Sequence, residues 1–244
     1  MQEIAQQLMA ARNADKRIAP EDYPAHILSN EDALAVQRTS AKEYGAIGAW
    51  KIAKDGEGTP LFAPIFTRDI CRSGADFSEG KGIAYGVEIE VAFELTKDLK
   101  VLPLSDDALW EAIGKVYMVI ELVRHRLAEP SKAKGALNLA DNMGNAGFVI
   151  GDEIPKYDRS KLGEAVLKLD INGESIIDGP ARNGLGDPVA LLKNALKGIG
   201  EHCGGFKAGQ IITTGSFSGC TYYPVGSQVK ASFPELGSEV AVTL

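Results

Sequence analysis

The run Tyr85-Gly86-Val87-Glu88-Ile89-Glu90-Val91-Ala92-Phe93-Glu94-Leu95 alternates side-chain character with a period of two. That period belongs to an extended strand, whose successive side chains point to opposite faces. One face is Val87, Ile89, Val91, Phe93 and Leu95, which needs a core. The other is Glu88, Glu90, Ala92 and Glu94, a row of carboxylates. Glutamate is depleted in strands, and like charges on one face repel. Either bulk water on a wet face or a hard divalent cation offsets that repulsion, since such cations take oxygen ligands. The stretch alone leaves both readings open.

The remaining chain supplies a sheet around it and a helical arm ahead of it. Ile4, Ala5, Leu8, Met9 and Ala11 recur at helical spacing, predicting a helix over residues 2–17. Ser29 or Asn30 caps a second helix running to about Glu43, with Asp32 in its first turn. Residues 1–45 therefore read as a helical arm, and 46–244 as a strand-rich body. Ala46–Ala53 predicts a strand. Leu61–Phe66 predicts an edge or irregular strand, because Pro64 lacks the N–H a central position needs. Asp76–Gly82 is a polar loop. Ser105 starts a helix with Leu109, Ala112, Ile113 and Val116 as its core stripe, followed by a strand over Tyr117–Val123. Asn138–Gly147 is turn-rich. Phe148–Ile150, Ala165–Ile171, Gln210–Thr214, Val229–Phe233 and Val240–Leu244 are strands. Asn172-Gly173 is a hairpin turn with Ser175–Ile177 returning. Asp187-Pro188 opens a helix running to about Leu196 and closed by Gly198. The 27 glycines and 11 prolines suit such a turn-rich chain.

Charge and cysteine usage exclude several classes. A net charge of −7 offers no general attraction to nucleic acid or an anionic membrane. No apolar run approaches membrane-spanning length, and the first residues lack the pattern of a signal peptide. Cys71, Cys203 and Cys220 are odd in number and widely spaced, which fits a reducing cytoplasm with buried, inert thiols. The three histidines, His26, His125 and His202, are too few for a histidine-built zinc site, and no G-x-S-x-G occurs. His125 and His202 read as surface or local hydrogen-bonding residues. Carboxylates, lysine and a metal are the chemical tools in stock.

Two further residues stand out of their surroundings. Lys51 shares a strand face with Ile47, Ala49 and Ala53, as a snorkelling side chain or as a buried amine with a carboxylate partner. Glu121 lies within Tyr117–Val123, as a buried carboxylate needing a partner or as an exposed residue on a continuing helix.

Taken in order, Gly48-Ala49-Trp50-Lys51-Ile52, Thr67-Arg68-Asp69, Val87–Phe93, Ile120-Glu121-Leu122-Val123, Ala140-Asp141-Asn142, Asn183–Pro188 and Thr214-Gly215-Ser216 resemble the fumarylacetoacetate hydrolase superfamily. The closer likeness is to its branch of 2-keto-4-pentenoate hydratases and 4-oxalocrotonate decarboxylases. The resemblance covers nearly the whole chain. It implies a mixed α/β, strand-rich fold of the β-roll type with an N-terminal helical arm. It implies magnesium or manganese held by Glu88, Glu90 and Glu121, with Lys51 and Asp69 as catalytic residues. Asn142 and Ser216 become substrate-binding candidates. The implied activity is a metal-dependent hydro-lyase acting on a 2-hydroxy-dienoate or 2-oxo acid in aromatic-compound catabolism. A 4-oxalocrotonate-type decarboxylase, an acylpyruvate-type C–C hydrolase and a non-catalytic oxo-acid-binding homologue are the alternatives. A cytoplasmic homo-oligomer, associating with a pathway enzyme, is the implied setting. Two positions depart from the family pattern. Gly144 stands where the family's Asp-Asn-x-Ser loop has a hydroxyl, and Arg68 replaces one of a pair of acidic residues. Arg68 suits either a dicarboxylate at the site's mouth or solvent.

Overall fold

Two helices, α1 (Gln2–Asn13) and α2 (Asn30–Tyr44), open the chain. The computed structural model describes residues 1–24, 29–79, 84–99, 105–133 and 136–244; His26, residues 80–82 of the polar loop and Leu104 lie outside them. Ser29 caps α2 in a reciprocal capping box with Asp32, which satisfies donors that helix N-termini otherwise leave unpaired. α1 ends at Asn13, four residues before the position its stripe suggests, because Asp15 turns to a positive φ of 51°.

The body then runs β1 (Ile47–Lys54), β2 (Pro60–Phe66), β3 (Ile70–Arg72), β4 (Ala75–Asp76) and β5 (Tyr85–Leu95). Next come α3 (Asp106–Ala112), β6 (Ile113–Val123), α4 (Leu137–Ala140), β7 (Asn145–Glu153), β8 (Glu164–Ile171) and β9 (Glu174–Arg182). It closes with α5 (Pro188–Ile199), β10 (Ile211–Ser216), β11 (Thr221–Tyr223), β12 (Gln228–Phe233) and β13 (Ser238–Thr243).

One sheet has the order β2-β1-β10-β5-β6-β7-β3, with β11 pairing against the start of β5. The second has the order β4-β13-β12-β8-β9. Pro64 is tolerated because β2 is an edge. β5 lies inside the first sheet, and its apolar face does what its alternation requires. Val87, Ile89, Val91 and Phe93 share one core with Leu167 and Leu169 of β8, Val229 and Phe233 of β12, and Leu191 and Leu192 of α5. Ile89 and Phe93 are fully buried, each contributing roughly 1.5–3 kcal/mol. A smaller cluster, including Ala49, Ala92, Val119 and Phe148, covers part of the opposite face. The acidic face of β5 is therefore not a wet one.

The arm packs on the body through a separate cluster. Ile4, Ala5, Leu8 and Ala11 of α1 meet Ala33 and Val36 of α2, Leu127, and Leu137, Leu139 and Ala140 of α4.

Three expectations need correction. α3 stops at Ala112, and Ile113 and Val116 belong to β6. Their spacing suits either element, but β6 pairs along the whole of β5, Leu95 with Ile113 through Gly86 with Val123, and those ladder bonds decide. α5 continues past Gly198 to Ile199, which is buried and prolongs the apolar stripe. The thiols are not buried: Cys71, on the edge strand β3, and Cys203 are half-buried, and Cys220, in the β10–β11 connection, is exposed. No described helix is long and apolar enough to cross a membrane.

Candidate metal centre

The antiparallel register of β5 and β6 sets Glu88 directly opposite Glu121 and Glu90 opposite Val119. Directly opposed like charges destabilise a sheet, and here they lie inside it. Glu121 is 0% exposed and Glu90 2%. One carboxylate oxygen from each of Glu88, Glu90 and Glu121 comes within 4.8 Å of the other two. Two strands adjacent in space thus join residues more than thirty positions apart in sequence.

Lys51, from β1, answers the charge. Its ammonium lies 2.9 Å from Glu88 Oε2 and 3.0 Å from Glu121 Oε1. Of its two readings, the buried amine with carboxylate partners is the one the structure contains. Burial alone would lower its pKa, but Glu121, Glu88 and Glu90 outweigh burial and hold the ammonium protonated well above its ordinary range. Glu90 is raised well above the usual carboxylate range, by burial first and then by Glu121 and Glu88. Burial pushes Glu121 up to about 7 despite the pull of Lys51, with Glu88 adding to the rise.

The supporting hydrogen bonds come from both sides. Asn145 Nδ2 donates to Glu121 Oε1 at 3.0 Å. Thr213 Oγ1 donates to Glu90 Oε2, and the Gly215 amide donates to the same oxygen at 2.8 Å. That amide reaches Glu90 because β10 slips register between Thr213 and Ser216. The slip needs Gly215, at φ 97°, where a Cβ would stand 2.8 Å from Asn183 Oδ1. Glu121 Oε2 has no hydrogen-bond partner among the described residues. A buried carboxylate oxygen left in that state is costly.

This donor set fits a hard divalent cation. All three donors are carboxylates, one ammonium cannot neutralise three of them, and Glu121 Oε2 lacks a partner. Glu94, on the same face of β5, is apart from the group and accepts from Tyr117 Oη.

The other candidates distribute unevenly. Ser216 ends β10 opposite Glu90 and donates to the Gly219 carbonyl at 2.8 Å. Asp69 pairs with Arg12 of α1 at 2.8 Å, and among the described residues no hydrogen bond or ion pair joins it to Lys51. Asn142 is buried under the arm, in a small cavity it shares with Leu8, Ser40 and Tyr44. The asparagine that touches a glutamate is Asn145. Its signal was present, in the turn-rich run ahead of β7, but only the pairing of β6 with β7 reveals it. His202 bonds Gln37 at 2.9 Å, and burial lowers its pKa to about 4, as befits a structural residue.

The departure at Gly144 has a local cause. At φ 76° its missing Cβ leaves room for the His125 ring, whose nearest atom would lie 2.8 Å from any Cβ. A serine there would have to displace the imidazole.

A family model described as fumarylacetoacetate (FAA) hydrolase C-terminal matches residues 32–244. A 2-hydroxyhexa-2,4-dienoate hydratase of Comamonas testosteroni is 32% identical over 139 residues, which cover 54% of this chain and about half, 49%, of that protein. A 2-keto-4-pentenoate hydratase of Paraburkholderia xenovorans (strain LB400) is 23% identical over 236 residues, covering 88% of this chain and 84% of that one. Among solved structures, a 4-oxalocrotonate decarboxylase from Pseudomonas putida G7, complexed with magnesium and adipate, superposes with a TM-score of 0.76. That match has 22% identity and covers 99% of this chain and 96% of the other.

Proposed function

The chain belongs to the fumarylacetoacetate hydrolase C-terminal family, and from that premise we propose that it is a divalent-metal-dependent hydro-lyase acting on a 2-hydroxy-dienoate or 2-oxo acid. The observation that carries this reading is the convergence of Glu88, Glu90 and Glu121, with one buried oxygen of Glu121 unpartnered among the described residues. The curated relatives are hydratases of that substrate class. Magnesium is the natural ion for such a donor set, with manganese its alternative, and magnesium accompanies the decarboxylase of the same fold.

Glu88, Glu90 and Glu121 would hold the ion, which as a Lewis acid stabilises negative charge developing on the substrate's oxygens. The residues around it do the remainder. Asn145, Thr213 and Gly215 fix the carboxylates so that no reorganisation is needed as charge develops. Lys51 keeps its proton at Nζ beside the reacting centre, available for delivery to substrate carbon. In hydration the dienol takes up a proton at carbon and water adds across the remaining conjugated bond. Asp69, which pairs with Arg12 of α1, is the residue we assign to accept a proton from the incoming water. Ser216 and Asn142 remain candidates for orienting substrate. A cytoplasmic homo-oligomer is the setting we propose.

Ultraviolet loss of 2-hydroxypenta-2,4-dienoate, followed with magnesium and with a chelator, tests the activity. We expect turnover that the chelator abolishes; turnover indifferent to chelation would defeat the reading. Lys51→Ala should retain magnesium binding by calorimetry while losing roughly 10²–10⁴-fold in turnover. Full activity in that variant removes Lys51 from the mechanism.

A further inference from the structure

The three glutamates of the centre are not held alike. Glu90 accepts from Thr213 and from the Gly215 amide, and Glu121 accepts from Asn145. Among the described residues, the Glu88 carboxylate is engaged only by Lys51. Its place therefore depends on the backbone that carries it, above all on the two peptide units that join Glu88 through Ile89 to Glu90. Ile89 stands opposite Ile120 of β6, but its N–H and C=O both turn the other way, towards the segment between β10 and β11.

That segment does not pair regularly. Ser216 lies opposite Glu90 and Thr221 opposite Val87, so the chain takes five steps where β5 takes three. A regular antiparallel pair would exchange two backbone hydrogen bonds between Ile89 and Phe217. One of them forms, from the Phe217 amide to the Ile89 carbonyl at 2.8 Å. In place of the other, the Ile89 N–H donates to Ser218 Oγ at 3.0 Å. The surplus chain, Ser218-Gly219-Cys220, bulges outward, with Gly219 at φ 68°. Its hydroxyls are tied down. Ser216 Oγ and Ser218 Oγ both donate to the Gly219 carbonyl, at 2.8 and 3.1 Å, and the Ser218 amide donates to Ser216 Oγ at 3.1 Å. Ser218 Oγ thus spends its proton on Gly219 and keeps lone pairs for the Ile89 N–H. Phe217, 6% exposed, anchors the turn from the core side against Phe233, ring centres 5.2 Å apart.

We propose that Ser218 is a positioning residue for the glutamate centre, its hydroxyl standing in for a strand carbonyl at the Ile89 N–H and so fixing how Glu88 is set relative to Glu90. The proposal rests on the reading of that centre as a magnesium site. The Ile89 N–H belongs to the peptide unit that follows Glu88, and the Ile89 carbonyl to the unit that precedes Glu90. Ser218 and the Phe217 amide therefore hold one unit each. Without the hydroxyl, the N–H loses its acceptor and the first unit is free to rotate, carrying Glu88 with it. Magnesium is the more sensitive reporter of such a shift, because it demands near-ideal octahedral geometry where calcium tolerates irregular coordination.

Two measurements on Ser218→Ala and Ser218→Thr test it. The first is calorimetry with magnesium and with calcium. Ser218→Ala should bind magnesium roughly 10-fold more weakly, the size of an outer-shell loss. Its calcium affinity should fall less, so the magnesium-to-calcium ratio drops. Ser218→Thr, which keeps the hydroxyl, should restore that ratio. Unchanged magnesium affinity in Ser218→Ala, an equal loss for the two ions, or a loss that Ser218→Thr does not repair overturns the assignment. The second measurement is amide exchange in the metal-free protein, followed by NMR. The Ile89 amide should exchange severalfold faster in Ser218→Ala while the amides of β6 keep their wild-type rates. Unchanged exchange at Ile89, or a general acceleration that includes β6, overturns the assignment as well. The metal reading fails separately. If the wild-type protein binds neither ion, the centre falls as a metal site, and exchange at Ile89 alone decides whether Ser218 fixes the peptide between the two glutamates.

Discussion

The glutamate centre and a recess beneath the arm, lined by Arg12, Arg68, Arg124 and Arg126 and joined to the centre through Asn145, are neighbours built by opposite rules. At the centre, two paired strands bring three carboxylates within 4.8 Å of one another, with one lysine paired to Glu88 and Glu121. In the recess, cations arrive from α1, from the turn before β3 and from the segment after β6, so the arm is needed to complete it. The first is short of positive charge and the second short of negative charge. Side by side, they teach that a cluster's net charge after its internal pairs are counted is more informative than the number of its salt bridges.

The comparison can be broken at its negative end first. Glu121→Gln should weaken magnesium binding by more than the roughly 10–100-fold typical of outer-shell changes. Calorimetric affinity equal to the wild type would dissolve the centre. At the positive end, Arg126→Met strands the buried Asp141, to which Arg126 is paired at 7% and 1% side-chain exposure. Breaking such a pair costs roughly 3–5 kcal/mol, or about 10 °C in melting temperature for a domain of this size. A thermal scan checks it, and Arg126→Met with Asp141→Leu should recover part of the loss.

The smallest effect is the sharpest about sign. Glu121 has its folded pKa raised from 4.5 to about 7. Its contribution to stability is therefore present below the unfolded value and is lost as pH rises through the folded one. Metal-free protein should lose stability between about pH 5 and 8 on this account. Magnesium requires the ionised carboxylates, so the rise in melting temperature it produces should grow over the same window. An identical magnesium effect at both ends of that range would mean that Glu121 does not titrate there.

Much of the sheet could be read directly from the residues. The alternation over Tyr85–Leu95 matches β5 end to end. Pro64 marked an edge, Asn172-Gly173 a hairpin, and Asp187-Pro188 a helix start, because each is a local constraint on φ or on a missing donor. Glu121 stood out as a carboxylate inside an apolar run. The failures share one cause. Ile113 and Val116 suit both periods, and only pairing with β5 settles them. The short strands β3, β4 and β11 carry no pattern of their own and exist because distant strands receive them. Asn145 needed the β6–β7 register, and the recess needed residues from 12 to 126 to meet. Local chemistry is written locally; convergence is not.

Lys51 has one more consequence. With its ammonium between Glu88 and Glu121, the chain carries its own tethered counter-ion. The acidic strands can therefore collapse into the sheet before any metal arrives, so folding and loading are separable events. Were a cation held by Glu88, Glu90 and Glu121, it would take over the charge-balancing role that Lys51 fills in its pairs with Glu88 and Glu121.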